Sequence, residues 1–216
     1  MSVIQIIEEL WSSFGVTLNI FLVTLLLSLP LGLLVAFGRM AKNPLLRGFT
    51  GAYISIMRGT PLMLQLIVVY FGPYYLFGLS FGTSYRMTAI YIAFVINYAA
   101  YFAEIYRSGI QSMPKGQYEA AKLLGYSGRQ TFAYIILPQV IKRILPSVTN
   151  EVITLVKDTA FAFTLSVMEM FTKAKALAAG QTSILPLFIA GAFYYIFNYA
   201  VAFAFEYAEK KLDYYQ

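Results

Sequence analysis

The chain has 216 residues, of which 59% are hydrophobic and only 12% are charged, and its net charge is +6. Soluble domains are usually about half apolar and about a quarter charged, so this composition predicts an integral membrane protein. The sequence contains no Cys and no His, which excludes disulfides, zinc sites of the usual kind and histidine-based acid–base chemistry.

Five apolar segments are long enough to cross a bilayer as helices. In chain order they are residues 14–38, 53–78, 86–107, 147–168 and 184–206. The predicted fold class is therefore an all-α membrane protein with about five transmembrane helices, forming one transmembrane domain over residues 1–216. Glycine and proline inside several segments, such as Gly59 with Pro61, predict helix breaks. Such breaks survive at membrane depth only beside protein or a wet cavity, and therefore indicate a pathway.

Lysine and arginine are concentrated in three connections on one side of these segments. The connections are residues 39–52, residues 107–146 and the C-terminal Lys210 and Lys211. Because basic loops remain in the cytoplasm, this asymmetry places the N-terminus outside and the C-terminus in the cytoplasm. The long connection 107–146 is then predicted to be cytoplasmic.

This cytoplasmic connection contains an ordered motif. Glu119-Ala-Ala is followed by Gly125, and the motif ends with Ile-x-Leu-Pro138. Residues 117–124 favour a short helix, which Gly125 would end in the left-handed conformation that glycine adopts at little cost. We expect Pro138 to end a second helical stretch before the chain re-enters the membrane.

The short helix has the residues expected of a docking element. Ala120 and Ala121 are small enough to let another surface approach closely, and Glu119 favours the dipole at the helix N-terminus. Leu123 and Leu124 could either anchor the helix to its own chain or fill a hydrophobic groove on a partner. The sequence has no Gly-x-x-x-x-Gly-Lys-Ser/Thr phosphate loop, so the chain is not expected to bind ATP itself. The six candidate coupling residues are Glu119, Ala120, Ala121, Leu123, Leu124 and Gly125.

A second set of candidates comprises residues inside the predicted spans. Charges at bilayer depth cost roughly 2.5–3.5 kcal/mol each on insertion scales, so they usually face a cavity or a partner. Carboxylates could hold an ammonium group, while Arg58 or the free N–H groups of a helix starting at Pro61 could hold a carboxylate. Alternatively, the charges could form internal salt bridges, Arg58 with Glu104 or Lys157 with a carboxylate of another helix. The candidate substrate-binding residues are Arg58, Leu62, Asn97, Glu104 and Asp158.

Four segments resemble the permeases of bacterial ABC importers for polar amino acids, the histidine, arginine and glutamine permease family. They are Arg58-Gly-Thr-Pro61, Ala103-Glu-Ile-Tyr-Arg-Ser-Gly109-Ile, Pro114-Lys-Gly-Gln-Tyr-Glu-Ala-Ala121 and Leu155-Val-Lys-Asp-Thr159. One position departs from the pattern, because Ala160 follows the last segment where a serine is expected.

The resemblance implies a transporter subunit in the cytoplasmic (inner) membrane of a prokaryote, not an enzyme. The implied partners are two ABC ATPase subunits, a second permease copy or a homologue, an extracytoplasmic amino-acid-binding protein and the lipid membrane, with no nucleic acid. No catalytic residue and no metal site is expected in this chain, and ATP and Mg would be bound by the ATPase, which would engage residues 117–138.

The charged residues inside the spans include one more acid than base, which favours a basic amino acid as substrate. They are Arg58, Glu104, Glu151, Lys157 and Asp158. The alternative function is an ion-coupled carrier of amino acids, which would use Asp158 and Glu104 as a proton or sodium site.

Overall fold

The computed structural model describes residues 1–211, which contain helices and turns and no strand. The α-helices are α1 (Val3–Arg39), α2 (Pro44–Gly59), α3 (Leu62–Phe77), α4 (Tyr85–Gln111), α5 (Lys115–Leu123), α6 (Gly128–Gln130), α7 (Leu137–Asp158), α8 (Met170–Gln181) and α9 (Leu185–Lys211). A π-helical segment (Thr131–Ile136) precedes α7, and a 3₁₀ helix (Thr159–Leu165) follows it. The predicted all-α fold is confirmed.

Three helices, α1, α4 and α9, are long and apolar enough to cross a membrane, and α2 with α3 would provide a fourth span if the bent pair counts as one. This number is below the number predicted from the sequence. The predicted span 53–78 is interrupted, because α2 and α3 meet at an angle of 111°. The predicted span 147–168 falls on α7 and the 3₁₀ helix. Helix α7 is too polar to count as a span, because every stretch of 18 residues within it contains Lys142, Arg143 and Glu151.

Helix α4 is the centre of the fold. It packs against α1, α2, α3 and α7. Of the residues in its most apolar stretch, 56% are buried, compared with 6% for α9. Phe94, Tyr98 and Phe102 of α4 are among the largest fully buried side chains. Residues carried by α4 are therefore held by packing on several sides, whereas α9 lies at the periphery.

Helices α1 and α4 pack closely because small residues lie between them. A Cβ at Gly32 would lie 2.9 Å from Cβ of Phe102 and 3.0 Å from the carbonyl oxygen of Ala99. Close approach of this kind is common between membrane helices, where small residues let the backbones come together. Helix α1 also begins earlier than predicted, at Val3, because Ser2 and Gln5 form a capping box at its N-terminus.

The prediction that Pro138 ends a helical stretch is wrong. Pro138 lies in the first turn of α7, and helical structure continues from Gly128 to Asp158 through the π-helical segment. Proline lacks a backbone N–H and cannot donate to the preceding turn, but its position directly after the π-helical segment does not interrupt the helical structure.

Candidate functional site

A cavity of about 390 Å³ lies between the start of α3, the middle of α4 and the last turns of α7. Its volume is in the range of small-molecule sites. The lining residues are Thr60, Pro61, Leu62, Met63, Asn97, Tyr98, Tyr101, Glu151, Thr154, Asp158 and Phe161. Another cavity, formed by residues between positions 70 and 85, is lined mainly by aromatic rings and has no carboxylate or base.

The bend between α2 and α3 is held by two buried amides. Nδ2 of Asn97 donates to the carbonyl oxygen of Met57 at 3.0 Å and to Oε1 of Gln65 at 2.9 Å. Nε2 of Gln65 donates to the same carbonyl at 2.9 Å and to Oγ1 of Thr60 at 2.8 Å. These bonds occupy backbone groups that the break would otherwise leave unsatisfied. Asn97 lines the cavity, and its side-chain amide stabilises the bend through the bonds to Met57 and Gln65.

The first turn of α3 faces the cavity. The helix begins after Pro61, and the N–H groups of Leu64 and Gln65 donate to the carbonyl oxygen of Pro61. The N–H groups at Leu62 and Met63 precede any intrahelical acceptor, and both residues line the cavity. A helix start with free N–H groups attracts anions. The sequence-based prediction that a new helical segment begins at Pro61 is confirmed.

Two carboxylates of α7 contribute to the opposite wall. Glu151 and Asp158 are seven residues apart, so they lie two turns apart on one face of the helix. Oδ2 of Asp158 accepts a hydrogen bond of 2.7 Å from the hydroxyl of Tyr98. Within residues 1–211, neither carboxylate forms a salt bridge. The cavity is therefore bordered by negative charge on one wall and by a helix N-terminus on the other.

The structure brings together three of the five predicted substrate-binding residues: Leu62, Asn97 and Asp158. Arg58 is exposed beside the cavity, with its guanidinium carbon 5.3 Å from the ring centroid of Tyr101, a cation–π geometry. Glu104 does not line the cavity.

The internal salt bridges considered as an alternative, Arg58 with Glu104 and Lys157 with a carboxylate of another helix, do not form among the described residues. Glu104 pairs instead with Arg107, three residues further along α4. Lys157 is exposed and has no acidic side chain within salt-bridge distance in the described range.

Sequence reasoning did not assign several lining residues to the site. Glu151 was recognised as a charge inside a span, but its seven-residue spacing from Asp158 is the signal that could have placed both in one cavity. Tyr98 and Tyr101 have no such signal, because aromatic residues occur throughout this chain and only tertiary packing distinguishes them.

The candidate coupling residues form a short exposed helix followed by a tight turn. Gly125 adopts φ +83°, and the N–H of Tyr126 donates to the carbonyl oxygen of Ala121 at 3.0 Å. The predicted glycine cap is thus confirmed. Ala121 is buried against its own chain, while Leu123 is 89% exposed and Leu124 is 75% exposed. Glu119 and Ala120 are exposed too. Of the two roles considered for the leucines, the exposure favours contact with a partner.

This short helix is joined to α7 by a pair of amides. Nε2 of Gln117 donates to Oε1 of Gln139 at 2.8 Å, and Nε2 of Gln139 donates to Oε1 of Gln117 at 3.0 Å. The segment before α5 is also bonded to α7, since Nη1 of Arg143 donates to the carbonyl oxygen of Ser112, at the end of α4, at 3.2 Å. Helix α5 is therefore attached to the helix that carries Glu151 and Asp158.

Within the described part of the chain, no group of three or more His, Cys, Asp or Glu side chains is arranged to hold a metal ion.

Comparison with known proteins gives one consistent family. Residues 28–214 match the family described as "Binding-protein-dependent transport system inner membrane component". The L-cystine transport system permease protein TcyL of Bacillus subtilis is 39% identical over 213 residues, covering 95% of this chain and 88% of that protein. A Rickettsia felis permease protein, GlnP, provisionally named for glutamine transport, is 37% identical over 198 residues and covers 91% and 89%.

A solved structure of the same kind agrees with the fold. The crystal structure of an amino acid ABC transporter with histidines includes a chain that is 29% identical, with a TM-score of 0.87 and coverage of 98% of this chain and 100% of that one. The permease resemblance drawn from the sequence motifs is confirmed, and the chain belongs to the family of inner membrane components of binding-protein-dependent transport systems.

Proposed function

We propose that this chain is a single transmembrane permease domain of an ATP-driven importer that moves polar amino acids, preferentially basic ones, into the cytoplasm. The observation that carries the proposal is the cavity with two carboxylates on one wall and the start of α3 on the other. A free amino acid has an ammonium and a carboxylate, and a basic side chain adds a second cation. Glu151 and Asp158 would hold the cations, and the N–H groups at Leu62 and Met63 would hold the carboxylate.

Two relatives have names that refer to cystine and glutamine, so the basic preference rests on the charge of this cavity alone. The residues that line the cavity include two carboxylates and no base. Arg58 is not among them, and its guanidinium stacks on the ring of Tyr101. A neutral amino acid would leave one carboxylate without a counter-charge in a partly desolvated site, which is costly. This cost favours arginine or lysine over glutamine.

ATP-driven transport by this chain requires partners. Two ABC ATPase subunits would bind ATP and Mg and would receive α5, whose exposed Leu123 and Leu124 suit a hydrophobic groove. An extracytoplasmic binding protein would deliver the amino acid, and a second permease copy or a homologue would complete the pathway. In this arrangement the N-terminus is outside and the C-terminus is cytoplasmic.

The alternative function, an ion-coupled carrier of amino acids, finds no support in the family or in the names of the relatives.

The test is ATP hydrolysis by this chain assembled with an ATPase subunit and its binding protein, measured with arginine, lysine, histidine, glutamine, glutamate or cystine. Stronger stimulation by arginine or lysine than by glutamine would support both the class and the substrate charge. Equal or stronger stimulation by glutamine or cystine would contradict the basic preference. Amino-acid uptake that persists without an ATPase and stops when the ion gradient collapses would contradict the importer itself.

A further inference from the structure

The last turn of α2 lies against one face of α4. On that face Asn97, Tyr101 and Glu104 follow one another at spacings of four and three residues, so their side chains project from the same side of the helix. Nδ2 of Asn97 donates to the carbonyl oxygen of Met57 at 3.0 Å. The guanidinium carbon of the next residue, Arg58, lies 5.3 Å from the ring centroid of Tyr101. The amide that stabilises the bend therefore also fixes the position of Arg58 over this ring.

The ring of Tyr101 separates Arg58 from the cavity. Tyr101 is one of the residues that line the cavity, and Arg58 is not. A guanidinium over an aromatic ring is attracted to the negative face of the ring. The ring is thus held at the edge of the cavity by a base that stands behind it, and the lining keeps its two carboxylates.

No acidic side chain in the described chain competes with the ring for Arg58. Within residues 1–211 Arg58 forms no salt bridge, although Glu104 lies one turn beyond Tyr101 on the same face of α4. Glu104 accepts a hydrogen bond of 3.0 Å from Nε of Arg107 and pairs with the same guanidinium through its other oxygen. The positive charge of Arg58 is therefore not neutralised by an acid of this segment.

The pair of Arg58 and Tyr101 lies on the cytoplasmic side of the cavity. In the proposed orientation α4 runs from the outer side towards the cytoplasm, and Tyr101 follows Asn97 by one turn. A substrate that leaves the cavity along this face meets the ring first and the base behind it. Because like charges repel strongly where little water separates them, this exit is unfavourable for a cationic substrate.

We propose that Tyr101 is the cytoplasmic gate of the cavity and that Arg58 is the positioning residue that holds the gate closed. The ring blocks the exit sterically, and the charge of Arg58 opposes the passage of a second cation. A basic amino acid therefore stays with Glu151 and Asp158 until the contact between α2 and α4 changes. This inference rests on the proposed function, from which it takes the substrate and the orientation of α4.

The gate is tested by the access of a thiol reagent to the cavity from the cytoplasmic side. The chain has no native cysteine, so Thr154→Cys places a single thiol in the lining of the cavity. The complete complex with its ATPase is prepared in inside-out membrane vesicles without nucleotide. Modification of the permease chain by a trimethylammonium methanethiosulfonate is followed by mass spectrometry. Ser108→Cys is the matched control, because Ser108 is exposed on the same face of α4, one turn beyond Glu104.

We expect Arg58→Gln to raise the rate of modification at position 154 by about 2- to 5-fold. This factor corresponds to a cation–π contact of about 0.5–1 kcal/mol at an exposed site. Arg58→Lys, which keeps a cation, and Tyr101→Phe, which keeps the ring, should retain the native rate. Tyr101→Leu removes the ring and should raise the rate at least as much as Arg58→Gln. None of these changes should alter the rate at position 108.

Two results would overturn the gate. One is an unchanged rate at position 154 in both Arg58→Gln and Tyr101→Leu. The other is an equal rise at position 108, which would show a general change of surface charge or a loosened fold. Either result together with arginine-stimulated ATP hydrolysis would leave the proposed function intact. The expected rates in a complex that no amino acid stimulates would support the gate and contradict the function.

Discussion

The replacement Asp158→Asn removes one negative charge from the cavity while nearly preserving the size of the side chain. The amide oxygen of asparagine can still accept the hydrogen bond from Tyr98, which measures 2.7 Å in the native chain. The variant therefore tests the charge and leaves the packing around α4 and α7 nearly unchanged. Substrate cations should bind less tightly to it.

The size of the effect follows from the hydrogen bond between the substrate's cation and the side chain at position 158, which changes from a bond to a charged acceptor to a bond to a neutral one. A hydrogen bond to a charged group contributes about 1.5–3 kcal/mol, and one between neutral groups about 0.5–1.5 kcal/mol. The difference of about 1–1.5 kcal/mol corresponds to an affinity change of about 5- to 15-fold. We expect the concentration of arginine that half-maximally stimulates ATP hydrolysis to rise by about that factor.

Glu104→Gln is the matched control, because it removes an acid of the neighbouring helix α4 that does not line the cavity. Glu104 pairs with Arg107, and both side chains are 26% exposed. Partly exposed pairs of this kind contribute little, about 0–1 kcal/mol, to stability. The stimulation curve of Glu104→Gln should match that of the native complex. An unchanged curve for Asp158→Asn, or equal shifts in both variants, would refute the assignment of Asp158 to the substrate.

The remaining predictions concern coupling and packing. Leu123→Asp should weaken binding of the ATPase at least about tenfold in a co-purification titration, since burying a leucine contributes about 1.5–3 kcal/mol; retention of native binding would exclude this residue from the interface. Gln117→Ala and Gln139→Ala should show non-additive effects on substrate-stimulated ATP hydrolysis, with a coupling energy of about 0.5–3 kcal/mol in a double-mutant cycle, and strictly additive effects would mean that the amide pair transmits nothing. Gly32→Val should lower the free energy of unfolding by about 1–3 kcal/mol through overpacking, because its Cβ would meet Phe102. The control Gly191→Val, with nothing within 4 Å of its Cβ, should not lower it.

The sequence predicted the membrane class and the short helix that ends at Gly125, because both depend on local signals. Apolar composition identifies spans, and the Glu-Ala-Ala motif with Gly125 identifies a short helix and its cap. The break at Pro61 was predictable for the same reason, since glycine and proline alter the backbone at their own positions.

The composition of the cavity depended on tertiary contacts that sequence patterns do not contain. Asn97 was expected to bind substrate, yet its amide nitrogen donates to Met57 and Gln65, which are distant in sequence. Glu104 was expected in the pocket, yet it pairs with Arg107 within its own helix. An intramembrane polar residue indicates that some partner exists, but only the packing of α2, α3 and α4 decides whether that partner is a ligand, a backbone carbonyl or a neighbouring base.

Helix α7 connects the two ends of the proposed mechanism. Gln139, near its start, is bonded to the docking helix, and Glu151 lies twelve residues later, about 18 Å along a helix axis. A displacement of α5 by a closing ATPase would therefore move the cavity carboxylates if α7 moves as one body. Two features limit where it can bend: the π-helical segment immediately before it and Pro146 within it. Since a proline removes one backbone hydrogen bond and favours a kink, we expect the carboxylates to move with the part of α7 that follows Pro146.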